Sequence, residues 1–190
     1  VKTSIPCFVH VSPASMHDVN ALDLLYYEPG GYYILDRGYI DYSRLFKIHQ
    51  SSAFFVIRAK DNLQFRRMYS NKVNKNNGVL LDQIGKLTGF YVCKKYPEKL
   101  RRIKFYDEET GKELEFLTNN FDLTAEEIAL LYKYRWLVEL FFKWIKQHLK
   151  IKSFWGTSQN AVKIQVYSAI IAYCLVALVR NTLKIDRSIY

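Results

Sequence analysis

The stretch Tyr132-Lys133-Tyr134-Arg135-Trp136-Leu137-Val138-Glu139-Leu140-Phe141-Phe142-Lys143-Trp144-Ile145-Lys146 decides how the chain is read. Wound as one helix from Tyr132, at about 100° per residue, it places Arg135 near −60°, Glu139 near −20°, Lys143 near +20°, Lys146 near −40° and Lys150 near 0°. An arc of about 80° then holds an aromatic hydroxyl, four cations and one carboxylate. Leu137, Val138, Leu140, Phe141, Trp144 and Ile145 form the opposite side, wide and apolar enough to pack on a core. The commoner outcome for such a row is a solvated face, since Arg135, Glu139 and Lys143 are spaced to pair at i, i+4 and i+8. The sharper outcome is a carboxylate that ligates Mg²⁺ at a phosphate, with cations holding the rest of the polyanion.

Upstream, Ile5 to Val11 reads as a strand and Ser15 to Leu25 as a helix, with a turn at Glu28-Pro29-Gly30-Gly31. Tyr32 to Leu35 reads as a strand ending at Asp36, Asp41 to Gln50 as a helix, and Ala53 to Ala59 as a strand buried on both faces. That alternation suits parallel neighbours joined by crossovers. An acid at the carboxyl end of such a strand sits where α/β sheets bind ligands. Asp is equally common as a cap or turn residue, and both roles stay open for Asp36 on its own.

From Asn62 to Asn120 the pattern changes to hairpins, with strands expected over Val79–Tyr91, Arg101–Tyr106 and Glu113–Leu117. The basic pairs Arg66-Arg67, Lys94-Lys95 and Arg101-Arg102 fit either a charge-defended sheet edge or a DNA-contacting face. Thr124 and Glu127 form a capping box at the start of the next helix, which makes Glu126 and Glu127 structural. Asn160 to Leu183 reads as a final apolar helix, interrupted by Gln165 and Ser168 and expected to lie in a core rather than a membrane.

With 28 Lys and Arg against 18 Asp and Glu, the 190 residues carry a formal charge of +10. That favours an acidic partner, nucleic acid or an anionic surface. Aromatics are abundant, and some of the 15 Tyr and 12 Phe are free to stack on bases. Cys7, Cys93 and Cys174 show no C-x-x-C spacing, so neither a disulfide framework nor a zinc site is indicated, and a reducing compartment is expected. The four histidines form no ligand pattern. The chain has no leader signature and begins with Val, which reads as a fragment of a longer protein.

Tyr132, Arg135, Glu139 and Lys146 match Y-x2-R-x3-E-x6-K, which resembles the signature of the insertion-sequence Four family of bacterial transposases. Tyr32-Tyr33-Ile34-Leu35-Asp36-Arg37-Gly38-Tyr39 resembles that family's D-x-G-[YF] motif after a hydrophobic strand. The resemblance spans essentially the whole chain and implies an α/β ribonuclease H-like catalytic core with a β-rich insertion. The core would be incomplete at the N-terminus: residues 1–61 form its first part, 62–118 the insertion and 119–190 its helical second part. The family's catalytic set is two Asp and one Glu. Asp36 and Glu139 supply two of these as catalytic metal ligands, while the first Asp is expected upstream of Val1. Asp18 and Asp23, on the first helix, do not replace it.

The resemblance further implies two Mg²⁺ or Mn²⁺ ions, with Tyr132, Arg135 and Lys146 holding phosphates and Arg37 and Lys143 assisting. The substrates would be double-stranded DNA at transposon terminal inverted repeats and at the target, handled by a homodimer in the bacterial cytoplasm, with no membrane partner. The reaction implied is cutting at transposon ends and transfer of the freed 3′-hydroxyl strand. These 190 residues alone are expected to be inactive. A structure-selective nuclease of the same fold and a non-catalytic DNA-binding transposase relic are the alternatives.

Overall fold

The computed structural model describes residues 5–13, 15–148 and 154–185. The chain divides into two compact units: Ala14–Lys133 forms one, and Val1–Pro13 with Tyr134–Tyr190 forms the other.

The first of these units is built on a six-stranded mixed sheet. Its strands are β1 (Tyr32–Leu35), β2 (Phe54–Arg58), β3 (Phe65–Ser70), β4 (Val79–Leu87), β5 (Leu100–Asp107) and β6 (Lys112–Thr118), in the order β1-β2-β6-β5-β4-β3. β1 and β2 pair in parallel through the crossover helix α1 (Tyr42–Gln50), and the other pairs are antiparallel. α1 begins where Asp41 accepts hydrogen bonds from the Ser43 and Arg44 amides at 3.0 and 3.1 Å. That cap satisfies donors the helix leaves unpaired.

β2 alternates Phe55 and Ile57 to one face of the sheet and Val56 to the other, and all three are fully buried. Leu45 and Ile48 of α1 cover the first face, together with Tyr96 just beyond the short helix α2 (Val92–Lys95). Helix α3 (Ala125–Lys133) covers the second with Ala125, Ile128, Ala129 and Tyr132. Helices on both sides of a sheet make the α/β class expected from the alternation. The capping box closes as read: the Thr124 amide donates to Glu127 Oε2 at 2.8 Å, and the Glu127 amide donates to Thr124 Oγ1 at 3.2 Å.

Several readings need correction. Ile5 to Val11 is not a strand: among the described residues its backbone joins no ladder, and strand geometry without a hydrogen-bonded neighbour is not a strand. The first helix is a 3-10 segment confined to Asp18–Leu24. β4 ends at Leu87, short of Tyr91. β3 joins the sheet although its Phe-Arg-Arg-Met-Tyr-Ser sequence shows no apolar alternation. Strands from residues 62–118 also extend the sheet begun by β1 and β2, since β6 pairs with β2. Between Asn71, whose amide donates to the Asp82 carbonyl, and Gly78, whose carbonyl accepts from the Tyr106 amide, the connection leaves the sheet, with Gly78 at φ +78° closing a 3-10 turn capped by Asn74. Limited proteolysis is expected to cut there first, because turn backbone is the accessible backbone. First cleavage inside 136–148 would contradict this.

The other unit contains α4 (Trp136–His148) and α5 (Gln159–Thr182). Phe141 and Trp144 of α4 pack edge-on against Tyr173 of α5, with ring centroids 4.8 and 5.1 Å apart. α5 is not the buried core helix expected. Ala169, Tyr173 and Ala177 alone are buried, a single i, i+4, i+8 stripe, and Ile164, Ile171, Leu175 and Leu178 are exposed. One packing partner covers one stripe of a helix that is apolar on most sides. α5 is long and apolar enough to cross a membrane by length and composition.

Candidate active-site residues and a nucleic-acid interface

Asp36 follows the last residue of β1, at the carboxyl end of the parallel β1–β2 pair. Its side chain accepts a hydrogen bond from the Arg37 amide at 2.6 Å and caps the 3-10 turn Arg37–Tyr39. A Cβ built on Gly38 would meet nothing within 4 Å, so the space beside the turn is open. Arg37 lies 3.8 Å from Asp61, which follows β2 at the same end of the sheet. Asp61, three residues beyond the end of β2, is an acid near this strand end that no sequence motif marks. The Tyr39 hydroxyl is pushed up by burial, with Asp18 and then Asp36 adding to the shift. Asp23 is engaged elsewhere: Arg44 donates to it at 2.6 and 3.0 Å, and this bond first of all holds its carboxyl below the usual range.

The stretch from Tyr132 is not one helix. α3 ends at Lys133 and α4 starts at Trp136, with Tyr134 and Arg135 in a turn. The angular placement of Tyr132 relative to Glu139 is therefore lost. Tyr132 is 7% exposed, and its ring lies 4.7 Å from that of Phe116 in the core over the sheet. Within α4, Glu139, Lys143 and Lys146 keep i, i+4 and i+7 spacing and share one exposed face. Arg135, at the entrance, donates to Glu139 Oε1 at 2.6 Å. Behind that face only Ile145 is buried, while Leu137, Leu140, Phe141 and Trp144 are half-covered and Val138 and Phe142 exposed. Lys150 lies outside the described residues.

Of the basic pairs, Arg101-Arg102 is engaged within the fold. Arg101 is 5% exposed and forks onto both oxygens of Asp82 at 2.8 Å, while Arg102 forks onto Glu115 at 2.8 and 2.9 Å. Neighbouring strand residues point to opposite faces, so one pair serves two separate ion pairs.

Among the described residues there is no group of three or more His, Cys, Asp or Glu that could hold a metal ion. Asp36 and Glu139 offer oxygen donors, the kind that hard divalent cations take, and the open space beside Gly38 leaves room at Asp36.

The chain matches the transposase DDE domain family over residues 1–175. It is 36% identical over 185 residues to a putative transposase, y4zB, of Sinorhizobium fredii, covering 96% of this chain and 51% of that protein. It is 34% identical over 141 residues to a probable transposase for insertion sequence element IS5377 of Geobacillus stearothermophilus, covering 74% of this chain and 37% of that one. A putative transposase for insertion sequence element IS4SA of Synechocystis is 28% identical over 149 residues, covering 78% and 41%. An α/β unit with an acid at a parallel strand end and a match over most of the chain place this protein in the DDE-domain family of bacterial insertion-sequence transposases. It spans about half the length of the first relative and less of the other two.

Proposed function

We propose that the chain carries two of the three acids of a DNA transposase that cuts element ends and joins the freed 3′-hydroxyl strand to target DNA. The supporting observation is Glu139, a lone carboxylate on an exposed cationic face of α4, in a chain that belongs to this family. Asp36 and Glu139 would hold a pair of Mg²⁺ or Mn²⁺ ions with the third acid. The chemistry those ions supply is Lewis acidity at the attacking and leaving oxygens of the phosphodiester.

The chain's own residues position the substrate. Lys143 and Lys146 attract phosphates to the α4 face, and backbone contacts of this kind set register without reading sequence. Arg135 donates to Glu139, and a phosphate on this face would draw on the same guanidinium. Arg37 plays the same part near Asp36, in exchange with Asp61. Tyr132, its ring in the core, enters as the anchor of the end of α3. The substrates in this reading are duplex DNA at inverted repeats and target DNA, bound by a dimer in the bacterial cytoplasm.

The test combines an element-end duplex, target DNA and Mg²⁺ with the protein read from its own gene start. Joined strands are expected. Cut but unjoined ends would indicate the nuclease, and bound but intact DNA the relic. A salt titration checks the α4 face separately. Two lost phosphate contacts in Arg135→Ala/Lys146→Ala should flatten the log affinity–log salt slope for duplex DNA by about 1.8. An unchanged slope would remove this face from the DNA site.

A further inference from the structure

Residues 62–99 carry eight Lys and Arg against two acids. Asp82 is committed to Arg101, and Glu98 pairs with none of the described residues. The excess gathers at the far edge of the sheet. β3 is the outer strand there, and its Arg66 stands directly opposite Lys86 of β4. Like charges facing each other across a ladder are destabilising. Neither side chain has a carboxylate within 4 Å among the described residues, and Lys86 donates instead to the Pro97 carbonyl at 2.8 Å. The register shift between Arg67 and Tyr69 brings Tyr69 opposite Ile84, and so onto the face that holds Arg66 and Lys86. Tyr69 is 61% exposed.

Two more rings stand where β3 begins, at the entrance to α2, whose Val92 joins the core cluster of Phe65 and Leu87 on the other face of the sheet, so a strand that reaches both sets passes round the β3 edge. The Thr88 amide donates to the Gln64 carbonyl at 3.1 Å, and Gly89 lies so close to Gln64 that a Cβ there would sit 2.8 Å from Oε1. That contact fixes Phe90 and Tyr91 beside the strand. They are 70% and 74% exposed and meet edge to face at 5.1 Å. The Lys94 ammonium sits 4.6 Å over the Phe90 ring. Exposed aromatic rings set beside uncompensated cations suit unpaired bases on a phosphate backbone, since a duplex keeps its base faces stacked inside.

We propose that the β3 edge and the entrance to α2 bind single-stranded DNA, with Arg66 and Lys86 on phosphates and Tyr69, Phe90 and Tyr91 stacking bases. Asp36 lies at the other edge strand, five strand spacings or roughly 24 Å away across the same sheet. The surface is therefore separate from that carboxylate. It rests on the transposase reading only in its purpose, to hold a strand freed by cutting, and the binding is measured without cleavage.

The experiment measures fluorescence polarisation of a labelled oligothymidylate of about 15 nucleotides, and of a duplex of equal length, against the 190-residue chain. Phe90→Leu/Tyr91→Leu keeps apolar bulk but removes both ring faces. It should weaken single-strand binding at least about tenfold and duplex binding less than about twofold. Arg66→Ala/Lys86→Ala should lower the single-strand salt slope by about 1.4. Equal losses on both DNA forms, or no loss with the leucine pair, would overturn the proposal. So would an unchanged slope with increased light scattering in the alanine pair, which would make these charges guards of an open edge. The binding is read without Mg²⁺ and without cleavage, so failure of this surface and failure of the catalytic reading give different results.

Discussion

Glu139→Gln is expected to abolish Mg²⁺-dependent cleavage of an element-end duplex while duplex binding persists or tightens. The substitution keeps side-chain size and helix propensity close to those of Glu and removes the anion that a hard cation requires. It also removes a negative charge from a face that carries Lys143 and Lys146. The competing account is the ion pair itself, because Arg135 donates to Glu139 at 2.6 Å. On that account the substitution costs at most about 1 kcal/mol of stability and leaves cleavage largely intact. Cleavage rates at matched DNA occupancy separate the two accounts, and the first requires loss of turnover rather than loss of binding.

The largest expected effect on stability lies at Asp82. Asp82→Ala leaves the Arg101 guanidinium buried, with the Leu123 carbonyl at 2.5 Å as its remaining hydrogen-bond acceptor. Removing one partner of a buried, bidentate pair costs about 3–5 kcal/mol, because the other charge stays desolvated. Leu123 immediately precedes the capping box of α3, so the loss loosens the helix that covers this face of the sheet. Asp82→Leu/Arg101→Met removes both charges and should recover most or all of the stability. Urea unfolding followed by circular dichroism measures both variants. A loss below about 1 kcal/mol for Asp82→Ala would show that the pair is solvated in solution.

What the sequence revealed was local. The Thr124–Glu127 box and the helix from Asp41 form as their residues dictate, because each start is decided within five residues. β2 was readable because a run of apolar residues buried on both faces leaves little choice. The failures depended on tertiary partners. β3 carries Arg66, Arg67 and Ser70 because an edge strand is paired on one side only and tolerates charge, which erases the alternation. The break at Tyr134–Arg135 has no Gly or Pro to announce it, and apolar periodicity runs straight through it. Tyr132 could have been suspected as a core residue, since an aromatic one turn beyond Ile128 continues the buried stripe of α3. The exposure of α5 was unreadable, because composition records what a helix is able to bury and not what the chain brings to it.

The site reading was legible only in part for the same reason. Motif spacing singled out Asp36 and Glu139, and the structure sets the first at a parallel strand end and the second on the cationic face of α4. They belong to different compact units, and we propose that they serve one reaction. The most direct test compares cleavage of an element-end duplex by wild type, Asp36→Asn, Glu139→Gln and the double variant, all at equal DNA occupancy. Residues that act as a unit are non-additive, so each single variant should lose cleavage as completely as the double. Near-normal cleavage by either single variant, or losses that multiply in the double, would contradict a shared site.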